Sequence, residues 1–352
     1  MVYRVIQWAT GRAGEVAVRG VVQRQDMKLV GAWVHSEHKA GRDVGELFGL
    51  PALGVRTSND KEAVLATPAD CVCYMAARTW MQNPQATLAE LARILRSGKN
   101  VVNTTWPALI NPAGVSAEVY DILQEACLAG NASFYTAGID PGHGSIGLAL
   151  SALTMSRDVR RVHTYEIINY ASFNDKMCMP TFGFGQSDVA KCIMLKPGIT
   201  AAMFASSVRL IAKGLCVALD EIAEAHEVIF ADAPFDIAAG HIPAGTISGM
   251  RFKIMGLYQG RPLVTIEHVT KLRDQDFPEL DFRGDGYRVD VDGEPEIRFD
   301  VALSSREGDH TQGAWVATAM AAVNAIPQVC AAPPGVLTYL DLRPHSSTNV
   351  VP

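Results

Sequence analysis

The stretch that decides the fold is WATGRAG, residues 8–14, which follows the apolar run YRVIQ. It is typical of a strand, a tight turn and a helix N-terminus, where free backbone N–H groups and the helix dipole together bind an anion. Gly11 allows a pyrophosphate to approach the backbone closely, and Gly14 allows the helix to pack on the strand. Two dinucleotide-binding patterns can be aligned with this turn, and each lacks its first glycine. Ala9 stands at that position in GxGxxG, and Trp8 stands there in GxxGxxG. The turn predicts dinucleotide binding, with a merely structural turn as the alternative.

The end of the second predicted strand, VHSEHK, residues 34–39, bears on which dinucleotide binds. Basic or hydroxyl groups there accept the 2′-phosphate of NADP, whereas an acid binds the free ribose hydroxyl of NAD. Glu37 leaves NAD open, but the surrounding groups favour NADP, and Arg12 can stack on or pair near the adenosine. Cofactor-binding residues are therefore expected at Thr10, Gly11, Arg12, Ala13, Gly14, His35, Ser36 and Lys39.

The first 140 residues alternate apolar β-rich runs with helical patterns, which is typical of parallel βαβ units. Near-continuous apolar strands are buried on both faces, so the pattern predicts an α/β fold with a Rossmann-type doubly wound parallel sheet. Strands are predicted at YRVIQWA, MKLVGAWV, DCVCYMA, KNVVNTT and ASFYTA, and helices over 15–24, 85–96 and 116–129.

From about Asp158 the chain carries longer alternating segments, which predict strands with one wet face and a second, α+β domain built on a mixed or antiparallel sheet. The predicted strands are RRVHTYEIINYASF, ISGMRFKIMGLY, RPLVTIEHVTKL and PEIRFDVALSS. We expect residues 191–231 to be mostly helical and a final helix over 313–325. The predicted domains are 1–142, completed by 325–352, for the dinucleotide, and 143–324 for substrate binding and dimerisation.

Composition narrows the class of protein. The chain has 31 basic and 37 acidic residues, a net charge of −6, and no basic cluster, so a nucleic-acid partner is not expected. Seven scattered cysteines favour a reducing cytoplasm over a disulfide framework. No metal site is expected, because Cys71 and Cys73, like the histidines at 35 and 38, lack further ligands in the sequence. Neither a signal peptide nor an apolar run of about 18 residues for a membrane span is expected.

Several blocks resemble known families. WATGRAG, GRDVGEL (41–47) and GKNVVNTT (98–105) resemble the N-terminal domain of dihydrodipicolinate reductases. AGIDPGHGS (137–145), FGFGQ (182–186) and AVNAIPQVCAAPPGVLTYLDL (322–342) are more similar to 2,4-diaminopentanoate dehydrogenases and native amine dehydrogenases.

The resemblance implies a Rossmann domain closed by the C-terminal segment, and a sheet domain that supplies the dimer contact and part of the substrate cleft. It implies NADP(H) or NAD(H) as cofactor and hydride transfer to or from a C=N or C=O carbon. It also implies that the loops after the fourth and fifth strands border the nicotinamide, which agrees with ligand binding at the carboxyl ends of parallel strands. Ala76, Ala77, Asn103 and Thr104 are therefore further expected cofactor contacts.

One departure from the family bears on mechanism. Amine dehydrogenases of this type carry a glutamate just past the fifth strand, where it binds or protonates the substrate amine. This chain has NTTWPALINP there, and no carboxylate lies between Asp70 and Glu90 or between Glu90 and Glu118. The resemblance therefore carries hydride transfer to this chain more firmly than amine chemistry.

The catalytic candidates lie near the predicted domain junction and in the second domain. His143 can donate a proton with Asp140 as its neighbour, although Asp140 can equally cap a turn while His143 binds backbone. Tyr170 is a further possible donor. Alternation places Tyr165 and Glu166 on opposite faces of a strand, and Glu166 is interpreted as a structural or surface residue.

Aromatic and methionine side chains in loops predict a pocket for a small, fairly apolar substrate, with packing at a domain or dimer interface as the alternative. The predicted pocket residues are Trp80, Trp106, Met177, Phe182 and Phe184. The leading hypothesis is an NADP-preferring oxidoreductase acting on a C=N or C=O bond, assembled as a homodimer. The alternatives are a non-catalytic NADP-binding or sensing protein and a dihydrodipicolinate-type reductase, for whose dicarboxylate we find no cluster of basic residues. Trp8 is expected to point into a layer between sheet and helix, away from the cofactor.

Overall fold

The computed structural model describes residues 1–76, 79–174, 178–282, 284–306, 308 and 310–348. The chain divides into two compact units. The first comprises Met1–Ile139 and Ala314–Pro352, and the second comprises Asp140–Gly313. The domain boundaries drawn from the sequence stay a prediction.

The first unit alternates strands and helices, as the sequence predicts. Its strands are β1 (Tyr3–Trp8), β2 (Met27–Trp33), β3 (Thr57–Ser58), β4 (Cys71–Tyr74), β5 (Asn100–Asn103) and β6 (Ser133–Thr136). Its helices are α1 (Arg12–Val22), α2 (Val44–Leu47), α3 (Lys61–Ala66), α4 (Thr79–Gln82), α5 (Pro84–Arg96) and α6 (Ala117–Gly130). Short 3-10 turns lie at Glu37–Lys39, Pro107–Ile110 and Pro112–Gly114.

The second unit begins with an irregular turn, Ile139–Gly147, in which Asp140 has extended backbone. The helices that follow are α7 (Leu148–Leu153), α8 (Cys178–Phe182), α9 (Ile199–Gly214) and α10 (His310–Ala331), the last of which runs into the first unit. The strands are β7 (Arg157–Asn169), β8 (Glu221–Phe230), β9 (Phe235–Ile237), β10 (Gly240–Ile242), β11 (Ile247–Tyr258), β12 (Arg261–Lys271), β13 (Gly286–Glu294) and β14 (Ile297–Ala302). The 3-10 turns are Val189–Lys191, Ile193–Leu195 and Asp274–Asp276, and β15 (Gly335–Leu337) returns to the first unit.

The sheet of the first unit confirms the predicted doubly wound architecture. Over the part of the chain that the structure describes, seven parallel strands lie in the order β15-β6-β5-β4-β1-β2-β3. One face packs on α1 and α10 and the other on α5 and α6. Strands buried on both faces need apolar side chains throughout, which explains runs such as CVCY in β4.

The helix α10 contradicts one expectation from the sequence. It is 22 residues long with a mean hydropathy of 1.3 over its most apolar window, which satisfies the length and composition of a membrane span. Ala319, Ala322, Val323, Ile326 and Val329 are fully buried in the core of the first unit. The apolar character of these residues is therefore explained by packing against the parallel sheet. The helix also extends beyond the predicted end at residue 325 and continues through Pro327.

The second unit contains the predicted mixed sheet. Among the described residues its six strands lie in the order β14-β13-β7-β12-β11-β8; β12 and β7 are parallel and the other neighbours antiparallel. The prediction of a mostly helical segment over 191–231 is wrong for 221–230, which form β8. Its alanines and glutamates favour a helix by propensity, but pairing with β11 along the whole strand overrides that weak preference.

Strand register brings side chains from four strands into one row on the sheet face that carries α9. Phe252 on β11 pairs with His268 on β12, His268 pairs with Glu166 on β7, and Glu166 pairs with Tyr287 on β13. Side chains at paired positions lie on the same face of a sheet and within contact distance. The fold therefore joins residues that are more than a hundred positions apart in sequence.

Candidate functional site

The glycine turn of the first unit is open where a dinucleotide phosphate would lie. A Cβ atom built on Gly11 would have no heavy atom within 4 Å, whereas one on Gly14 would lie 2.3 Å from the carbonyl oxygen of Ala9. Gly11 caps the N-terminus of α1, whose first backbone N–H groups have no partner within the helix. The turn thus satisfies both expectations from the sequence, close access at Gly11 and close packing at Gly14.

A groove of about 450 Å³ extends from this turn. It is lined by Ala9, Thr10, Gly11, Trp33, His35, Ser36, Lys39, Met75, Ala76, Thr79 and Gln82. Six residues predicted to bind the cofactor lie in this lining, and the Lys39 ammonium donates to the Thr10 carbonyl oxygen at 3.2 Å. The groove combines a helix N-terminus, hydroxyl groups and a lysine, all of which bind phosphate. The residues present therefore fit a dinucleotide.

The other predicted cofactor residues have different surroundings. Arg12 and Ala13 form the first turn of α1, and Arg12 is exposed. Asn103 is fully buried: its amide donates to the Thr136 hydroxyl and accepts from the Thr105 backbone, so it fixes the loop after β5. The structure places Thr104 half-buried beside it, and Ala77 lies outside the described residues. Their contact with a cofactor stays a prediction.

Trp8 lies in the apolar layer shared with α5, and it is not among the residues that line the groove. Its side chain is 1% exposed and stacks on Trp33 at 5.2 Å and on Tyr74 at 6.4 Å. The indole N–H donates to the Glu90 carboxylate at 3.2 Å, and the Tyr74 hydroxyl donates to the same oxygen at 2.6 Å. The expectation that the indole leaves the cofactor loop is confirmed.

A second cluster of polar side chains lies in the second unit and is buried. We call Asp140, Glu166, His268 and Tyr287 the acidic cluster. The two nitrogens of His268 contact different carboxylates, Nδ1 that of Glu166 at 2.9 Å and Nε2 that of Asp140 at 3.0 Å. The Tyr287 hydroxyl donates to the other oxygen of Glu166 at 3.0 Å.

The charges of this cluster do not balance. Burial alone would lower the pKa of His268, but the carboxylates of Asp140 and Glu166 outweigh burial and raise its pKa to about 10. The ring is therefore an imidazolium at neutral pH. Burial, together with the same two carboxylates, holds the pKa of Tyr287 well above its usual value, so its hydroxyl keeps its proton. Two carboxylates against one imidazolium leave one excess negative charge.

Asp140 is the unusual member of the acidic cluster. Its side chain is 3% exposed; Oδ2 faces His268 Nε2 at 3.0 Å, and Oδ1 has no hydrogen-bond partner within the described residues. The contact with His268 is an ion pair that engages Oδ2 alone. A buried carboxylate oxygen without a hydrogen bond is costly, so its retention indicates a ligand that supplies a donor.

The same three ionisable residues have the composition of a metal site, with ligand atoms within 4.8 Å of one another. However, the two carboxylates contact opposite nitrogens of one imidazole, and a single ion cannot bind both nitrogens of the same ring. The arrangement is that of a doubly paired imidazolium.

The remaining predicted catalytic and pocket residues are distributed over both units. In the second unit His143 is exposed on the turn after Asp140, while the Tyr170 ring lies 5.1 Å from Phe182 and 6.5 Å from Phe184. Phe184 is buried with Ile242 and Leu272 in a small apolar core, and Met177 lies outside the described residues.

In the first unit the rings of Trp80 and Trp106 stack at 5.8 Å. Trp106 is 8% exposed and packs beside α5 and α6, so it contributes to the core of its unit. The substrate-pocket role of these aromatic residues stays a prediction.

Sequence reasoning found Asp140 but missed His268 and Tyr287, and it interpreted Glu166 as structural or surface. The expectation that Tyr165 and Glu166 face opposite ways is confirmed, because Tyr165 contacts His163 on one face and Glu166 contacts His268 on the other. The alternation within each strand was available from sequence. The pairing of β7 with β12 and β13 was not, and it alone identifies the partners of Glu166.

Two family models match most of the chain. A family model described as the 2,4-diaminopentanoate dehydrogenase C-terminal domain matches residues 144–350, and one described as the N-terminus of dihydrodipicolinate reductase matches residues 5–107. An amine dehydrogenase from Streptomyces virginiae is 33% identical over 351 residues, which is 96% of each chain.

Solved structures share the fold. An amine dehydrogenase from Mycobacterium smegmatis superposes with a TM-score of 0.77 at 20% identity, over 98% of this chain and 97% of that one. A scyllo-inositol dehydrogenase from Lactobacillus casei, solved with bound NAD(H), superposes with a TM-score of 0.58 at 15% identity, over 97% and 93%. At these identities the likeness concerns the fold alone.

Proposed function

The chain belongs to the 2,4-diaminopentanoate dehydrogenase family and is an NAD(P)-dependent oxidoreductase of the dihydrodipicolinate reductase and amine dehydrogenase type; from this premise we propose that it reduces imines to amines. The imine forms from a small, fairly apolar ketone and ammonia, and NADPH is the preferred cofactor. The observation that carries this proposal is the buried carboxylate of Asp140, whose Oδ1 has no hydrogen-bond partner among the described residues.

The charge of the acidic cluster favours C=N over C=O chemistry. Asp140 and Glu166 carry two negative charges against one positive charge on His268, and all three lie where solvent screening is weak. A protonated imine is a cation with N–H donors, so it offsets the excess charge and supplies the donor that Oδ1 of Asp140 lacks. A ketone offers neither, since its oxygen is a neutral acceptor.

The chain's residues then have simple tasks. The groove residues Thr10, Gly11 and Lys39 would hold the dinucleotide, whose nicotinamide would supply the hydride that the imine carbon accepts. Asp140 binds the iminium N–H and holds the carbon in one orientation, while Glu166, fixed by Tyr287 and His268, keeps the neighbourhood anionic. Because the iminium nitrogen already carries its proton, addition of hydride yields a neutral amine and requires no proton donor in that step. His143 and Tyr170 stay candidates for the proton transfers that form the imine and release the amine.

This proposal also addresses the absent glutamate after the fifth strand. Asp140 and Glu166 provide carboxylates from the second unit, so amine chemistry does not depend on an acid at that loop. The net negative charge of the cluster disfavours the dihydrodipicolinate alternative, because a dicarboxylate substrate would be repelled by it.

The preference for NADP rests on the groove of the first unit. His35, Ser36 and Lys39 line it, whereas Glu37 is exposed and does not. Two hydrogen-bonding side chains and an ammonium suit a 2′-phosphate, whereas selection of NAD would need an acid directed at the ribose.

We propose a homodimer assembled through the second unit. The sequence-based reason was an uncovered apolar sheet face, and that reason is wrong in part. The face opposite α9 carries paired charges such as Arg298 with Asp290, and Glu267 with His163. Exposed rings of Phe230 and Tyr258, at the ends of β8 and β11, still support a contact surface on the second unit. Light scattering that gave a single-subunit mass at micromolar concentration would rule the dimer out.

The test of function is NADPH oxidation with a panel of small ketones, each with and without ammonia, repeated with NADH. We expect turnover that requires ammonia and a higher kcat/KM for NADPH. Equal turnover without ammonia would instead establish a carbonyl reductase. If NADPH bound but no acceptor turned over, the non-catalytic binding or sensing alternative would replace the enzyme.

A further inference from the structure

His268 is held more firmly than a residue that only fills space. The Phe252 ring stacks on one face of the imidazole at 4.6 Å and 10°, and the Phe204 ring of α9 approaches at 4.3 Å. Both ring nitrogens face carboxylates, and the side chain is 5% exposed. Aromatic faces attract a cation, so the stacking and the carboxylates favour the same charged form of the ring.

We infer that His268 is a positioning residue: a permanent imidazolium that keeps both Asp140 and Glu166 ionised and fixes the direction of the Asp140 carboxylate. This inference deepens the proposed function and rests on it. The ligand atoms of the three residues lie within 4.8 Å of one another. Each of two buried carboxylates this close together disfavours the ionised form of the other unless a cation lies between them. A carboxylic acid at Asp140 would lose the charge that binds an iminium.

The groups that face the imidazolium come from every element packed against it. Asp140 belongs to the turn before α7, Glu166 to β7 and Tyr287, through Glu166, to β13. Strand β11 and helix α9 contribute the phenylalanine rings. His226 of β8 lies one strand beyond Phe252 and pairs with Thr200.

Tyr287 has a supporting role in this arrangement. Its ring packs against Gly144, where an added Cβ would lie 2.6 Å from the ring. The turn at residues 139–147 therefore fixes the position of the hydroxyl. Its hydrogen bond to Glu166 stabilises the ionised form of that carboxylate. Loss of the hydroxyl should therefore act in the same direction as loss of the imidazolium, but more weakly.

The test compares the pH dependence of kcat/KM for wild type, His268→Gln and Tyr287→Phe between pH 6 and 9. Taking the ratio of variant to wild type cancels the ionisation of ammonia and substrate. For His268→Gln we expect this ratio to fall about tenfold for each pH unit below the apparent pKa of the carboxylate pair. For Tyr287→Phe we expect a shallower fall. A ratio constant with pH in both variants would overturn the inference, because a purely structural role lowers activity equally at all pH values.

A second measurement needs no turnover and therefore separates this inference from the proposed function. A histidine whose pKa is raised in the folded state stabilises the fold fully below its unfolded pKa, and this contribution is lost as pH rises through the folded value. For His268 the window runs from about 6.5 to about 10. As the pH rises across this window, the urea midpoint of wild type should fall relative to that of His268→Gln. The control variant Phe252→Leu, which keeps the imidazole, should show the same fall as wild type. If the two midpoints instead stayed parallel, the imidazolium would be absent and the inference wrong, whether or not the enzyme aminates ketones. If His268→Gln did not fold, the same comparison would be made against Tyr287→Phe, whose fall should end at a lower pH than that of wild type because the folded pKa of His268 sets the end of the window; identical curves would overturn the inference.

Discussion

The glycine turn of the first unit and the acidic cluster of the second differ in what they are made of. The turn is built from backbone: Gly11 leaves open space, and Gly14 lets α1 approach Ala9. Seven consecutive residues, 8–14, form the complete turn. The cluster is built from charged side chains that β7, β12 and β13 bring together by register. A backbone site tolerates little change in shape but considerable change in neighbouring side chains. A side-chain site has the opposite sensitivity, and the following predictions test that contrast.

The largest expected effect is at Gly11. A Gly11→Val variant should lose NADPH binding altogether, because its branched side chain would fill the space in front of the helix N-terminus. Its melting temperature should stay near that of wild type, since Gly11 has an ordinary φ of −77° and no atom nearby. Fluorescence titration with NADPH measures the loss, and Gly11→Ala should give an intermediate affinity. Undiminished binding by the valine variant would show that the phosphate lies elsewhere.

Trp8 should matter for stability and leave cofactor binding intact. Trp8→Ala removes a fully buried indole that stacks on Trp33 and donates to Glu90, and should lower the free energy of unfolding by about 3 kcal/mol. Urea unfolding measures this change, with the half-buried Trp80→Ala as a comparison that should cost less. Lost NADPH affinity in a Trp8→Ala protein of unchanged melting temperature would make the indole a cofactor contact and contradict the structure.

Lys39 should distinguish the two nucleotides. Lys39→Ala should lower the affinity for NADPH about tenfold and the affinity for NADH by much less, because one charge-assisted contact to the 2′-phosphate is lost. Lys28, exposed on β2 of the same unit, provides the matched control variant Lys28→Ala. Equal weakening of both nucleotides would place Lys39 on the pyrophosphate or on the turn itself, where it already contacts Thr10.

The smallest expected effect is at Ala9, which stands where related turns carry glycine. Its φ of +74° lies in the left-handed region that disfavours a side chain, and the Gln7 amide donates to its carbonyl oxygen at 2.8 Å. Ala9→Gly relieves this strain but increases the conformational entropy of the unfolded chain. The free energy of unfolding should therefore rise by about 0.5 kcal/mol or less. Differential scanning calorimetry checks the sign. A clear loss of stability would mean that the Ala9 methyl group packs usefully.

The same contrast explains what the sequence could predict. The turn, the five main strands of the parallel sheet and the burial of Trp8 follow from local patterns, because each is decided by residues adjacent in the chain. Helix propensity misled the prediction at 221–230, where β8 forms because β11 offers it a partner. The acidic cluster was out of reach for a related reason: Glu166 and His268 are 102 positions apart, and nothing in either strand specifies that they pair. Asp140 was found only because the turn around it is a distinctive motif.

The most direct test of the central claim is the Asp140→Asn variant compared with Asp236→Asn, whose carboxylate is exposed on β9. Both are assayed for reductive amination of the best ketone and for NADPH affinity by titration. Removing one member of a buried charge pair costs about 2–5 kcal/mol, so kcat/KM of Asp140→Asn should fall by about a hundredfold or more while NADPH affinity stays within about twofold. Asp236→Asn should match wild type in both measurements. An Asp140→Asn enzyme that aminates ketones at the wild-type rate with unchanged NADPH affinity would show that the buried carboxylate does not bind the substrate cation, and the account of the acidic cluster would be wrong.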